Sequence, residues 1–362
     1  MSRNQYTGAR RFIFWLRWGW YIQQKGAFML RLYDTTEILK DQEGKLDPVE
    51  GMTSHKKENL LLADAAELAG YEQEGQRLRS CGLTPVTATH KNTGETGLIA
   101  LFHCRVRLCP VCEWGRARAN YARLSAALDW VDEHHPGLVP CFLTLTVKNT
   151  RPDELRSSLS HMLKSFTRLL MHREIKRCVR GYWRAVEVTR NSKEGTYHPH
   201  IHALVMMAPG YASKGGAYIS HSEWVSHWKR ALDVKYSPSV RIERVGRAGD
   251  AEAAAEHKAV LEVCKYSVKG SDILTGSKTL QARVFGQLRP ALAGVQLVGA
   301  GGVIREALRA LRMDRLDELE TPQDMSIARR VEASPADWVL LYWRWGGSGY
   351  VLDGRKDGAE DA

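Results

Sequence analysis

The sequence predicts an α+β protein: a central antiparallel sheet with helices packed on it, preceded by a small zinc-binding module. Three observations predict it. Short segments rich in β-branched residues alternate with amphipathic segments of helical period. Two consecutive strand-like segments are joined by a polar turn, the signature of a hairpin. A dense group of cysteines lies just upstream of the first strand.

The elements follow in chain order. Arg10 to Leu30 is aromatic and apolar, but Arg17 and Gln23 to Lys25 interrupt it well short of a membrane span. It reads as a surface helix, or as translated upstream sequence if synthesis begins at Met29. Residues 31 to 60 are polar, carry Gly44, Pro48 and Gly51, and read as a linker, with folded structure expected from about Leu60. Between Gly115 and His135, Tyr121, Leu124, Leu128 and Val131 recur at helical spacing opposite Arg116, Arg118 and Arg123. Pro136-Gly137 ends that run, and Cys141 to Val147 alternates as a strand. A second helix opens at Pro152 and lines up Leu155, Leu159, Met162, Phe166 and Leu169.

Trp183 to Thr189 and His200 to Met207 are the paired strands, with Asn191 and Gly195 in their turn. Ser220 and Glu223 form a capping box ahead of Trp224, Trp228 and Leu232. Val240 to Val245 reads as a strand, and Ala251 to Val268 as a helix stopped by Gly270. This order implies helices on one face of the sheet. A last helix, Val303 to Met313, sets Arg305, Arg309 and Arg312 opposite Ile304, Leu308 and Leu311. Trp343, Trp345 and Tyr350 suggest a final β element, followed by a loose polar tail from Asp353 to Ala362. The expected division is an N-terminal extension (1–60), a zinc module with its basic helix (61–135), a catalytic sheet domain (136–275) and a C-terminal region (276–362).

Lys and Arg outnumber Asp and Glu by 52 to 41, a formal charge of +11, which favours a polyanionic partner, nucleic acid before membrane. Seven cysteines, an odd number, with no secretory leader argue against a disulfide-bonded secreted protein and for a reducing cytoplasm.

Three groups of residues carry chemistry. In His200-Ile201-His202 on a strand, both imidazoles leave the same face, a ready pair of metal ligands. Glu187, a carboxylate inside the neighbouring apolar strand, would be costly if unpaired and supplies a third ligand. Two imidazoles and a carboxylate leave positions open for phosphate and water and suit Mn²⁺ or Mg²⁺. The competing reading is a hydrogen-bonded histidine pair. His198, before Pro199, reads as a turn residue.

Glu262, Tyr266 and Lys269 follow at i, i+4 and i+7, so on one helix an acid, a phenol and an ammonium would share a side. A phenol needs a nearby cation to act as a nucleophile, and Lys269 would supply it. An ordinary helix with surface ion pairs is the plain alternative, and Tyr197 is the next candidate nucleophile. Finally, Cys104, Cys109 and Cys112 are tightly spaced, with Cys81 upstream as a fourth thiolate, a pattern for structural Zn²⁺. His103 or His90 could replace one cysteine, and free thiols are the alternative. Cys141, Cys178 and Cys264 read as core residues.

Taken in order, these segments resemble the plasmid rolling-circle replication initiators, a single-tyrosine branch of the HUH endonuclease superfamily. CFLTLTVKN (Cys141 to Asn149), YHPHIHALV (Tyr197 to Val205) and EVCKYSVKGSD (Glu262 to Asp272) are similar to the family's three motifs. WGRAR after the cysteines and LVGAGGVIREALRAL (Leu297 to Leu311) resemble flanking segments, so the likeness spans most of residues 80 to 310. The resemblance implies an HUH-type sheet on which Tyr266 nicks one strand at a plasmid double-strand origin. It implies a 3′ hydroxyl for a polymerase, a 5′ phosphotyrosyl link, and a metal on His200 and His202. Glu262 is implied to activate the water that later frees the enzyme. Single-stranded DNA and a host helicase and polymerase are the implied partners. A non-catalytic zinc-containing DNA-binding regulator, or a transposase or relaxase of the same superfamily, are the alternative readings.

Overall fold

A long hairpin organises the chain. In the computed structural model, which describes residues 48–49, 51–211, 218–245, 259–264 and 267–358, strands β4 (Val179–Asn191) and β5 (Thr196–Met207) pair antiparallel along their whole length. β5 also pairs with β3 (Val139–Thr146), β3 with β6 (Val240–Arg244), and β4 with β7 (Val298–Gly302), giving an antiparallel sheet of order β6-β3-β5-β4-β7. The hairpin is longer than the segments Trp183–Thr189 and His200–Met207 because polar residues at its tip still pair, as Asn191 does with Thr196.

Helices cover both faces of this sheet, which corrects the expectation of one. Even and odd residues of β5 explain why. Ile201, Ala203, Val205 and Met207 bury against α4 (Leu155–Met171) and α6 (His221–Leu232), through Leu159, Met162, Phe166, Trp224 and Trp228. Leu204 and Met206, with Trp183, bury on the opposite side. There they meet Leu124, Leu128 and Val131 of α3 (Pro110–His134), helical residues 259–264, and Ile304 and Leu308 of α9 (Val303–Ala310). A hairpin apolar on both sides cannot leave one to water. The expected capping box is present, with Ser220 and Glu223 each bonded to the other's backbone.

A second antiparallel sheet of order β2-β1-β8-β9 joins distant parts of the chain: β1 (Val86–His90) pairs with β2 (Thr96–Ala100) and with β8 (Trp338–Trp345), and β8 with β9 (Tyr350–Asp357). Trp343 and Tyr350 are buried as expected of a final β element, but pairing runs to Asp357, so Asp353 to Asp357 are strand and not tail.

Other boundaries also move. The first described helix, α1 (Met52–Leu68), starts before Leu60, because Met52, Lys56 and Asn59 are buried, and it packs beside α2 (Glu72–Ser80). α3 begins at Pro110 rather than Gly115, since Cys109 is its N-cap and its sulfur accepts from the Cys112 N–H. Arg123 is buried, not solvated, and bonds the Glu318 and Glu320 carbonyls. The helix Val303 to Met313 ends at Ala310, and Arg312 lies beyond it at a positive φ. Arg10 to Leu30 lies outside the described residues. No helix among them is long and apolar enough to cross a membrane.

The segment after residue 264 differs most. Residues 259–264 are helical, but Ser267 and Val268 form a bend, Lys269 is extended, and Gly270 begins a short helix, α7 (Gly270–Ile273), instead of ending the long one. α8 (Lys278–Leu292) and α10 (Pro322–Ala333) complete the described helices besides α5 (Arg173–Cys178).

Candidate metal centres

The register of the hairpin builds the first centre. Glu187 stands directly opposite His200 across β4 and β5, and Ala185 opposite His202, so the carboxylate and both imidazoles emerge on one face. One carboxylate oxygen of Glu187, Oε2, lies 3.0 Å from His200 Nε2 and 3.1 Å from His202 Nε2. All three ligand atoms fall within 4.8 Å of one another, as a shared ion requires. The other ring nitrogens are already engaged. His200 Nδ1 is 3.2 Å from the His198 carbonyl oxygen, which can only accept, so Nδ1 carries the proton. His202 Nδ1 is 3.2 Å from Thr144 Oγ1, on the strand opposite.

That arrangement decides what fits between the three groups. A neutral His200 with its proton on Nδ1 presents a lone pair to a carboxylate, so either the ring is protonated or a cation sits between them. Both Nδ1 atoms held by outer partners, with both Nε2 atoms converging, is the usual arrangement around a bound metal. Among the described residues Glu187 Oε1 is buried without a hydrogen bond, and the Lys269 ammonium lies 3.3 Å away. Burial alone would raise the Glu187 carboxyl's pKa. The hydrogen bonds to His200 and His202 and the charges of His200 and Lys269 outweigh it and hold the group well below the usual carboxylate range. The set fits a divalent metal.

His198 is a strand residue paired with Thr189, which corrects its reading as a turn, and its Nδ1 lies 2.9 Å from Asn149 Oδ1, apart from the ligand cluster. Tyr197 points to the opposite face. It is 1% exposed, its hydroxyl donates to Gln287 Oε1 at 2.7 Å, and burial pushes its pKa up to about 12. A phenol so placed is a poor nucleophile for this centre.

Lys269 reaches the centre by a route the spacing missed. It does not share a helix face with Glu262, because the bend at residues 267–268 separates it from helical residues 259–264. Glu262 is half-buried on that helix and is not part of the ligand cluster. Tyr266 lies outside the described residues. Its neighbour Ser267 is tied down twice: its carbonyl accepts from the Val188 N–H at 2.8 Å, one residue beyond Glu187, and its N–H and hydroxyl donate to Glu113 Oε2 at 3.4 and 3.3 Å.

Glu113 sits in the first turn of α3, beside the second centre. There Cys81, Cys104, Cys109 and Cys112 are buried with all four sulfurs within 4.8 Å. Sulfur separations are 3.6 Å for Cys81–Cys112, 3.6 Å for Cys81–Cys109 and 3.8 Å for Cys104–Cys112. Thiolates about 2.3 Å from zinc in a regular tetrahedron have edges of about 3.8 Å. The cluster therefore fits zinc with no position left over. Backbone N–H groups of Cys104 and Arg105 donate to Cys81 and Cys112 sulfur, each at 3.3 Å, as they would to thiolates. Neither histidine alternative joins it. His90 Nδ1 accepts from Asn92 and Thr93 N–H in a turn, and His103 lies against Gly115, where a Cβ would meet its ring at 3.1 Å.

Sequence reasoning missed Thr144, Glu113 and the buried Lys56, whose ammonium bonds the Arg79 and Cys81 carbonyls at 2.7 and 2.6 Å. Thr144 follows from register, which alternation alone does not fix. Glu113, beside Cys112, was within reach of the cysteine spacing.

The chain matches the family described as Replication protein over residues 97–351. It is 35% identical over 300 residues to a protein named Protein rep from Bacillus amyloliquefaciens, covering 78% of this chain and 86% of that one. A Protein rep from Streptococcus pneumoniae is 33% identical, covering 72% of this chain and 79% of its own length. A third, from Lactiplantibacillus plantarum, is 30% identical, covering 82% and 96% respectively. No solved structure matches.

Proposed function

The chain belongs to the Replication protein family of plasmid rolling-circle initiators, and on that premise we propose that it is a nicking enzyme that starts replication at a plasmid double-strand origin. The single observation that carries the reading is the convergence of His200 Nε2, His202 Nε2 and Lys269 on the Glu187 carboxylate, two residues from a chain segment anchored at Ser267, directly after Tyr266.

In this reading His200, His202 and Glu187 hold Mn²⁺ or Mg²⁺, which when bound polarises the scissile phosphate. The Tyr266 oxygen attacks phosphorus, forming the 5′ phosphotyrosyl bond as the bond from phosphorus to the 3′ oxygen breaks. The phenol loses its proton and the departing oxygen gains one, leaving a 3′ hydroxyl, so no water is consumed. Lys269, a cation beside the centre, favours the phenolate and the charge on phosphorus. Glu262 takes a proton from the water that later cleaves the phosphotyrosyl bond, freeing the enzyme. The cysteine cluster holds Zn²⁺ and fixes the start of α3.

Residues 136–275 carry the nicking, flanked by the zinc module (61–135), the C-terminal region (276–362) and the extension (1–60). Origin DNA, its displaced single strand, and a host helicase and polymerase are the partners, in the cytoplasm. A DNA-binding regulator would explain the charge and the zinc cluster but not the His–Glu centre. Supercoiled parent plasmid incubated with the protein and Mn²⁺ should be converted to an open circle with protein on one 5′ end. Unchanged supercoiled plasmid would refute the reading.

A further inference from the structure

Behind Ser267, away from the expected work of the His–Glu centre, lies a cavity of about 600 Å³ bordered by α3, β4 and the edge strand β7, and residues 314–317. That volume is in the range of small-ligand sites, about 300–1,000 Å³. Its lining is unusually rich in guanidinium groups. Arg184 is buried, bonds the Gln296 and Leu297 carbonyls, and lies against Gly299, where an added Cβ would stand 3.2 Å from Nη2. Arg107 is half-buried and bonds the Val295 carbonyl at 3.0 Å.

Among the described residues neither cation has a carboxylate within ion-pair distance, whereas Arg116 in the same wall pairs with Glu113. Burial lowers the pKa of both Arg107 and Arg184. Arg184 is a buried cation without a counter-ion, and Arg107 a half-buried one that feels the Glu113 carboxylate already paired with Arg116; such cations are costly, and an anion entering the cavity would offset that cost. Asp314 and Asp317 also border the cavity but are exposed to water. The second observation is Asn120, 1% exposed and one of the residues bordering the cavity, whose buried Oδ1 has no hydrogen-bond partner among the described residues. An unpaired buried acceptor calls for a donor.

We propose that this cavity binds one nucleotide, its phosphate against Arg107 and Arg184 and an N–H of its unpaired base on Asn120 Oδ1. The nucleotide comes from the single strand next to the cut, an identification that rests on the nicking reading; a free deoxynucleotide would offer the same chemistry. Because Ser267 and Cys264 border the cavity and flank Tyr266 in sequence, occupancy would register the strand against the nucleophile.

The test is fluorescence anisotropy of a short labelled single-stranded oligodeoxynucleotide with the full chain and no added divalent ion. Arg107→Gln and Asn120→Leu should each weaken binding about tenfold or more, the scale of one buried polar contact. Asn120→Leu should leave the melting temperature unchanged or higher, since it removes an unsatisfied group. Duplex binding should change less than single-strand binding. Deoxyadenosine monophosphate that fails to displace the strand supports a nucleotide within DNA, and displacement by it supports a free nucleotide in the same cavity. Wild-type affinity in both variants, or equal losses on duplex and single strand, overturns the proposal. Since binding is read without chemistry, a protein that bound this way yet never nicked would sink the nicking reading and leave the cavity's assignment standing.

Discussion

The two centres of this protein solve opposite problems with similar materials. The four cysteines are buried, drawn from loops and helix ends, and close a tetrahedron around whatever they hold. Glu187, His200 and His202 come from adjacent strands of one hairpin, offer three atoms that could hold an ion, and leave His202 partly open to solvent. A closed set adds to folding and excludes substrate, whereas an open set on a rigid sheet can admit a phosphate. The Glu113–Ser267 contact ties the first turn of α3, beside the first centre, to the chain segment directly after Tyr266, which the proposed nicking would use.

If that division is right, removing metal from the two centres should have different consequences. The largest effect is expected at the cysteines. Structural zinc contributes about 10–16 kcal/mol in small zinc domains, as much as the whole stability of a typical domain. Elemental analysis should find about one zinc per chain, and Cys104→Ala or Cys112→Ala should lose it and abolish cooperative melting of the region around α1 to α3. An unaltered melting curve in the zinc-free protein would remove the structural role.

The His–Glu centre should behave otherwise. His200→Ala or His202→Ala is expected to eliminate nicking while leaving duplex affinity in gel shifts nearly intact, because basic surface supplies most of that affinity. Full nicking by the double variant would end the metal assignment. A smaller loss should follow Thr144→Val, which frees His202 Nδ1 from its outer partner. Metal titration of the nicking rate should report an affinity lowered about 10- to 100-fold, the usual effect of losing such a partner. Tyr197→Phe should do least, costing about 1 kcal/mol through the lost bond to Gln287 and leaving nicking unchanged.

The comparison also explains what the sequence could reveal. Cys104, Cys109 and Cys112 were readable because close spacing largely dictates a shared ligand set, and Cys81 because it had no other cysteine partner nearby. Glu187 was readable through the hairpin: alternation puts it on the histidine face, and the turn between Asn191 and Thr196 sets the pairing. Lys269 lies beside Glu187, but not by the helix spacing that nominated it, since periodicity carried the helix through residues 267–268, where hydrogen bonds of Ser267 to Val188 and Glu113 hold a bend. Burial of Arg123 and the pairing of β1 with β8 were out of reach, because their partners lie hundreds of residues away in the chain and no local pattern encodes them. Helices on both sheet faces were missed for a different reason. Leu204 and Met206 alternate with Ala203 and Val205, and an all-apolar strand does not say which side is covered.

The central claim is that Tyr266 is the nucleophile and Glu262 serves only release. Incubating single-stranded origin oligonucleotide and Mn²⁺ with Tyr266→Phe and Glu262→Gln, and resolving the products on a denaturing gel, tests it most directly. The account predicts no shifted protein–DNA band for Tyr266→Phe and an accumulating one for Glu262→Gln, with wild type between them. A covalent band formed by Tyr266→Phe at the wild-type rate would contradict it.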